Sequence, residues 1–181
     1  MPASAASGPL ADAVLASVPL VTRFLKGFDD ANRTRQAPGL PNHAAWCLGH
    51  LSLTMHRVAE MLDGRPLPAG EIAPGAGESR DRKASPGVYF AETIALGSRP
   101  TDDPSLYPPL ARGAAIFETA AARLAAAIRA ADDAALDRET PWGAGATTMR
   151  ALIPRMIFHN GCHAGQLVDL RRALGMAGVI G

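Results

Sequence analysis

Apolar positions along the chain recur at helical rather than strand spacing. Leu10, Val14, Leu15, Val18, Val21, Leu25 and Phe28 form one stripe, with Arg23, Lys26, Asp29 and Asp30 mostly opposite. The pattern predicts a first helix over Pro9–Asn32, in which Pro19 brings a kink or a later start. Pro38, Gly39 and Pro41 then make a turn, and Asn42 is the expected N-cap of a second helix reaching Asp63. A third stripe, Leu110, Ala114, Phe117, Ala121, Leu124 and Ile128, predicts a helix from Pro108 to Ala131. After Asp132, Asp133 and a TPWGAG turn, Thr147 or Thr148 caps a last helix that runs to Leu174 and stops at Gly175.

Between the second and third helices, Gly64–Tyr107 breaks the pattern. It is rich in Pro and Gly, with one apolar piece that predicts a short helix at Val88–Leu96. Helix–helix connections usually take about 2–8 residues, so a link of roughly forty is expected to carry structure of its own. Such insertions act as lids or as tolerated surface excursions, and a lid would bring Val88, Tyr89, Phe90, Ile94 and Leu96 over a site. The run Arg80, Asp81, Arg82, Lys83 reads as solvated surface. Four long helices without a convincing strand indicate an all-α fold. The expected architecture is a four-helix bundle of antiparallel type, with a long irregular crossover between helices 2 and 3 and a single domain over residues 1–181.

Composition narrows the function classes. A chain of 181 residues buries a full core without disulfides. Hydrophobic residues make up 48% but aromatics only 5%, so small side chains let helices approach closely. With 18 basic against 17 acidic residues, there is no electrostatic case for nucleic acid or an anionic membrane. Gln36–His56 carries no formal charge, but its prolines, glycines and histidines argue against a span. Two cysteines, Cys47 and Cys162, and a start without a signal-peptide pattern lead to the expectation of a reduced, cytoplasmic protein.

The chemistry concentrates in MIFHNGCHAGQLVDLRRALG, Met156–Gly175. His159 and His163 stand four residues apart, one above the other on a helix face that also carries Gln166. Buried imidazoles need partners, and a divalent ion would satisfy both at once. The second helix offers a third from the face it shares with Trp46: His50 in its middle, or His43 in its first turn, whereas His56 points away. Cys47 and Cys162 are near enough in helical angle to line a pocket, although filling core space is the ordinary role of such thiols. Gln166 either orients a ligand imidazole or bonds a neighbouring backbone. Gly161 and Gly165 suggest that a helix or ligand comes close there. Ligand imidazoles must be neutral, so metal affinity is expected to fall in acid, starting near the free-histidine pKa of about 6.5.

WCLGHL (Trp46–Leu51), followed about a hundred residues later by HNGCHAGQL (His159–Leu167) and an RRALG close, resembles the DinB-like, YfiT-like family of metal-dependent proteins. The resemblance covers most of the chain. It implies a four-helix bundle in which His50, His159 and His163 bind a divalent ion, nickel or zinc, with water in the open positions. It implies metal-dependent chemistry on a small-molecule substrate: transfer or isomerisation with a low-molecular-weight thiol, or hydrolysis. The rival class is a non-enzymatic metal-binding or stress-response protein. No Glu or Asp stands near the three histidines on the ligand faces, which favours a metal-activated nucleophile, or simple binding, over a carboxylate base. Homodimerisation is left open.

Overall fold

The apolar stripes fold into helices whose ends are set by local capping. In the computed structural model, which describes residues 2–74 and 87–179, α1 spans Ser7–Arg23 and α2 spans Ala44–Asp63. The link that follows holds β1 (Ile72–Ala73), β2 (Tyr89–Phe90) and the single turn α3 (Ala91–Ile94). Then come α4 (Leu110–Ala130), α5 (Asp133–Asp137), the hairpin strands β3 (Glu139–Trp142) and β4 (Gly145–Thr148), and α6 (Met149–Ala173). The chain is helix-rich, with α1 packed on α4 and α6, and α2 packed on α4 and α6. The core between them is built from Ala, Leu, Ile and Val, with Phe117, Tyr89 and Tyr107 as its largest members. No helix among the described residues is long and apolar enough to cross a membrane.

The helices α2 and α6 run antiparallel. Asn42, just before α2, donates to Gln166 late in α6 (3.1 Å). His50 meets His159 (3.2 Å), and Met61 at the end of α2 meets Thr140 just ahead of α6 (3.7 Å). That register brings the middle of α2 level with the imidazoles of α6.

Several boundaries differ from expectation. The first helix stops at Arg23 rather than Asn32, and the chain to Arg35 continues in turns. Gly27 adopts φ +88°, outside helical space, and Arg171 of α6 takes up the Phe24 and Lys26 carbonyls left free at this end. Phe24, Leu25 and Phe28 are nonetheless buried, so the stripe was real while its backbone was not one helix. The second helix is capped by His43 instead of Asn42: its Nδ1 accepts the Trp46 N–H (3.1 Å) and its Nε2–H donates to the Thr101 carbonyl (2.8 Å). The last helix is capped by Thr148, which accepts from the Ala151 N–H (3.2 Å), and Gly175 follows it as expected. The TPWGAG stretch is more than a turn. It forms the antiparallel hairpin β3–β4, with Glu139 opposite Thr148 and Trp142 opposite Gly145.

The link is also more structured than a single helix over Val88–Leu96. β1 and β2 pair in parallel, Ile72 with Tyr89, and only Ala91–Ile94 is helical. Tyr89 and Ile94 are fully buried between α2 and α4. Glycine on each helix makes this possible. A Cβ on Gly49 would stand 2.7 Å from the Tyr89 ring and from Ile94, and one on Gly113 would stand 2.4 Å from the Tyr89 hydroxyl. Gly161 and Gly165, by contrast, have open space where a Cβ would be, so no helix among the described residues makes a close approach there. The charged run at residues 80–83 lies outside the described residues.

Two measurements test this packing. Gly49→Ala should lower stability by about 1–3 kcal/mol, the usual cost of overpacking, and Tm by roughly 2–10 °C in a chain of this size. Tyr89→Phe should leave stability unchanged or raised, because the buried hydroxyl has no hydrogen-bond partner among the described residues and its removal leaves no orphan behind. Thermal melts of the two variants read both outcomes.

The His43 cap carries a pH signature. Burial lowers its pKa from 6.5 to about 4, and the carbonyl of Thr101 offsets only part of this. The unfolded chain takes up a proton near 6.5 that the folded chain refuses until about 4, so stability is lost as pH falls through that window. Two and a half pKa units correspond to roughly 3 kcal/mol. Urea titrations from pH 7 to pH 4 should show that loss, and a His43→Asn variant, which keeps a capping acceptor, should show less of it.

Candidate metal centre

Three imidazoles meet between α2 and α6. His50 Nε2 lies 3.2 Å from His159 Nε2, and His163 Nε2 lies 3.2 Å from the same atom. One ligand atom from each of the three falls within 4.8 Å of the other two. The rings are edge to face, with His50 centred 5.0 Å from His159 and 5.1 Å from His163. His159 and His163 reach this point from successive turns of α6, and His50 comes from the middle of α2. His43, the other histidine on the α2 face, is committed to its cap and stays apart from the cluster. His56 is buried elsewhere, 2.9 Å from Glu71 and 3.5 Å from the Arg123 guanidinium.

The tautomer of His50 follows from its partner. Its Nδ1 is 2.8 Å from the Ile94 carbonyl, an acceptor only, so the proton is on Nδ1 and a lone pair on Nε2 faces the cluster. His159 can share at most one proton among the Nε2 atoms around it, so neutral imidazoles leave lone pairs pointing at one another. A cation at the centre would turn that conflict into bonding. Zinc–nitrogen bonds of about 2.0–2.1 Å place neighbouring ligand nitrogens roughly 2.8–3.4 Å apart, depending on coordination angle. The two 3.2 Å separations to His159 fall within that range and all three donors lie within 4.8 Å of one another, so the donor set can hold a divalent ion.

Electrostatics keep all three rings neutral. Burial draws His159 down from 6.5 to about 4, helped by His50. Burial, then His159 and His50, draw His163 to about 3, with the Gln166 amide opposing in part. Burial also lowers His50, against the pull of the Ile94 carbonyl, and the Arg57 charge adds to the lowering. Such rings present lone pairs at neutral pH. The Nδ1 of His163 is buried without a hydrogen-bond partner among the described residues. Gln166 Oε1 accepts from Asn42 Nδ2 (3.1 Å), which places it in the contact between α2 and α6.

The surroundings of His50 come largely from the link. Ile94 supplies its acceptor, and Trp46 stacks on its ring at 4.6 Å and 8°. Trp46 is in turn held by the Ser98 hydroxyl, 2.9 Å from its Nε1. The sequence leaves the link as either a lid or a surface excursion and gives no sign of a backbone carbonyl as a partner, since a carbonyl has no residue-type signature.

A cavity of about 700 Å³ opens from His50 and His159. Its walls differ from those expected. Of the apolar link residues, Leu96 alone lines it, because Tyr89 and Ile94 are spent in the core. The hairpin provides another wall through Pro141, Trp142 and Gly143, and Arg57, Arg155 and Phe158 complete the lining with Cys162. Cys162 is therefore an exposed cavity thiol, whereas Cys47 is fully buried, with its pKa raised to about 12 by burial. Arg155 was legible in principle, since it stands one helical turn before His159.

No curated protein matches the chain. The family model of the DinB superfamily matches residues 19–167, a span that contains all three clustered histidines, the whole of α2 and most of α6. With the match covering most of its length, the chain belongs to the DinB superfamily.

Proposed function

We propose that this chain is a divalent-metal-dependent enzyme acting on a small molecule, built on a four-helix bundle with His50, His159 and His163 as the metal ligands. The observation that carries the reading is the convergence of three neutral Nε2 atoms at the edge of a cavity of about 700 Å³. That volume suits a small organic molecule, for which pockets of about 300–1,000 Å³ are usual. Nickel and zinc both suit an all-imidazole donor set. A bound ion would supply a Lewis acid, able to lower the pKa of a coordinated water towards about 7 or to hold a substrate thiolate.

The chain's own residues do the rest. The Ile94 carbonyl fixes the His50 tautomer and Trp46 fixes its plane, so Nε2 is aimed before anything binds. Leu96, Trp142 and Phe158 give the cavity wall apolar surface. Among the described residues lining it there is no Asp or Glu to act as a carboxylate base. The favoured chemistry is therefore attack by a nucleophile made reactive at the centre itself, with a low-molecular-weight thiol as the first co-substrate to assay.

Elemental analysis of untagged protein should find one divalent ion per chain. His159→Ala with His163→Ala should abolish it, and full occupancy in that double variant would overturn the assignment. His50→Ala should weaken binding by more than about 100-fold, beyond what loss of an outer partner costs, while His43→Ala should change it little. Turnover with low-molecular-weight thiols, present in the loaded wild type and absent in these variants, separates an enzyme from a passive binder.

Acid should release the ion later than free histidine would suggest. All three rings are held below their ordinary pKa, chiefly by burial, so protons compete for them weakly near pH 6.5. A zinc-release titration should have its midpoint well below 6.5, in contrast to the onset expected from unperturbed imidazoles. A midpoint at or above that value counts against three buried ligands.

A further inference from the structure

Two guanidinium groups share the cavity with the histidines. Arg57 is two turns beyond His50 on α2, and Arg155 is one turn before His159 on α6. Because these helices are antiparallel, both arginines are displaced in the same direction along the axis. At about 1.5 Å rise per residue, Arg57 lies roughly 10 Å and Arg155 roughly 6 Å from the level of the histidines. Both are exposed, and neither makes a hydrogen bond or ion pair among the described residues.

Most described arginines elsewhere in the fold are engaged, with Arg23, Arg35 and Arg99 as the exceptions. Arg33 and Arg171 hold backbone carbonyls, Arg123 clasps Asp63, and Arg150 bridges Asp133 and Asp137. Among the described residues, the lining that holds the two arginines carries no carboxylate and includes apolar surface from Leu96, Trp142 and Phe158. The local charge is positive before any metal is counted, and a divalent ion would make it more so. A neutral ligand would leave that charge uncompensated. A ligand with one anionic group and an apolar body would satisfy both halves of the wall, since guanidinium pairs with carboxylate or phosphate oxygens through parallel N–H bonds.

We propose that Arg57 and Arg155 form an anion subsite that selects an organic anion with an apolar body as the substrate of this cavity, the anionic group lying roughly 6–10 Å along the helix axis from the histidines. The proposal rests on the cavity being the substrate site described above. It adds the substrate's charge and shape, and assigns the two arginines to specificity.

The test uses zinc-loaded protein and a matched pair of probes, 4-phenylbutyrate and its neutral amide, 4-phenylbutanamide, titrated calorimetrically at fixed ionic strength. Wild type should bind the acid at least about tenfold tighter than the amide, a modest demand on two charge-assisted contacts. Arg57→Gln with Arg155→Gln should erase that preference, each single variant should reduce it, and Arg150→Gln, outside the cavity, should preserve it. The acid should also slow alkylation of the exposed Cys162 in wild type and not in the double variant. Zinc content and the thermal melt of every variant are measured alongside. Should the double variant not fold, the single variants decide.

Equal affinity for acid and amide in wild type overturns the proposal. So does an acid preference that survives in the double variant, which would place the carboxylate on the metal alone. The metal assignment fails separately. A wild type that takes up no zinc yet shows an arginine-dependent preference for the acid would overturn the metal centre and leave the anion subsite standing.

Discussion

The hydrogen bond from His50 Nδ1 to the Ile94 carbonyl is the contact on which the rest of the site depends. It settles which nitrogen of His50 carries the proton, and so which one faces the other imidazoles. It also ties the crossover to the centre. Ile94 can present its carbonyl there only because Tyr89 and Ile94 are sunk between α2 and α4, and they fit only because Gly49 and Gly113 have no side chains. Gly49 immediately precedes His50. One position admits the crossover and the next receives its hydrogen bond.

This arrangement changes what the crossover does. A link rich in Pro and Gly suggests a cover that opens and closes over a finished site. Here Ile72, Tyr89 and Ile94 belong to the core, joined by the parallel pair β1–β2, and among the described link residues only Leu96 reaches the cavity. Exchanging Val88–Leu96 for a flexible stretch would remove Tyr89 from the interior and the acceptor from His50, so it would damage the fold as well as the cavity wall.

The helical periodicity made the long helices legible, and the four-residue spacing of His159 and His163 made two of the three clustered histidines legible as well. His50 required the family resemblance, because the α2 face offers two histidines and periodicity alone does not choose between them. The choice is physical: His43 spends both ring nitrogens on the Trp46 N–H and the Thr101 carbonyl, which leaves it nothing to give a metal. What stayed hidden was either carried by backbone, as at Ile94, or decided by tertiary packing. The run from Phe24 to Phe28 keeps helical spacing while Gly27 turns the chain out of the helix. The β3–β4 hairpin is written in Thr, Pro, Gly and Ala, which signal a turn more strongly than a strand.

That hairpin has a further consequence. Arg138, just before it, bonds the Met61 carbonyl, and Thr140 contacts the Met61 sulfur, so it rests on the last turn of α2 while Trp142 faces the cavity. None of its residues belongs to the histidine cluster or to its immediate supports. The cavity rim and the imidazole cluster are therefore separately heritable: a short surface ribbon can lengthen, shorten or exchange its tip across generations while the helices beneath retain their register. Diversification of such a scaffold would show first at the ribbon and last at the pair of helices that bring the imidazoles together.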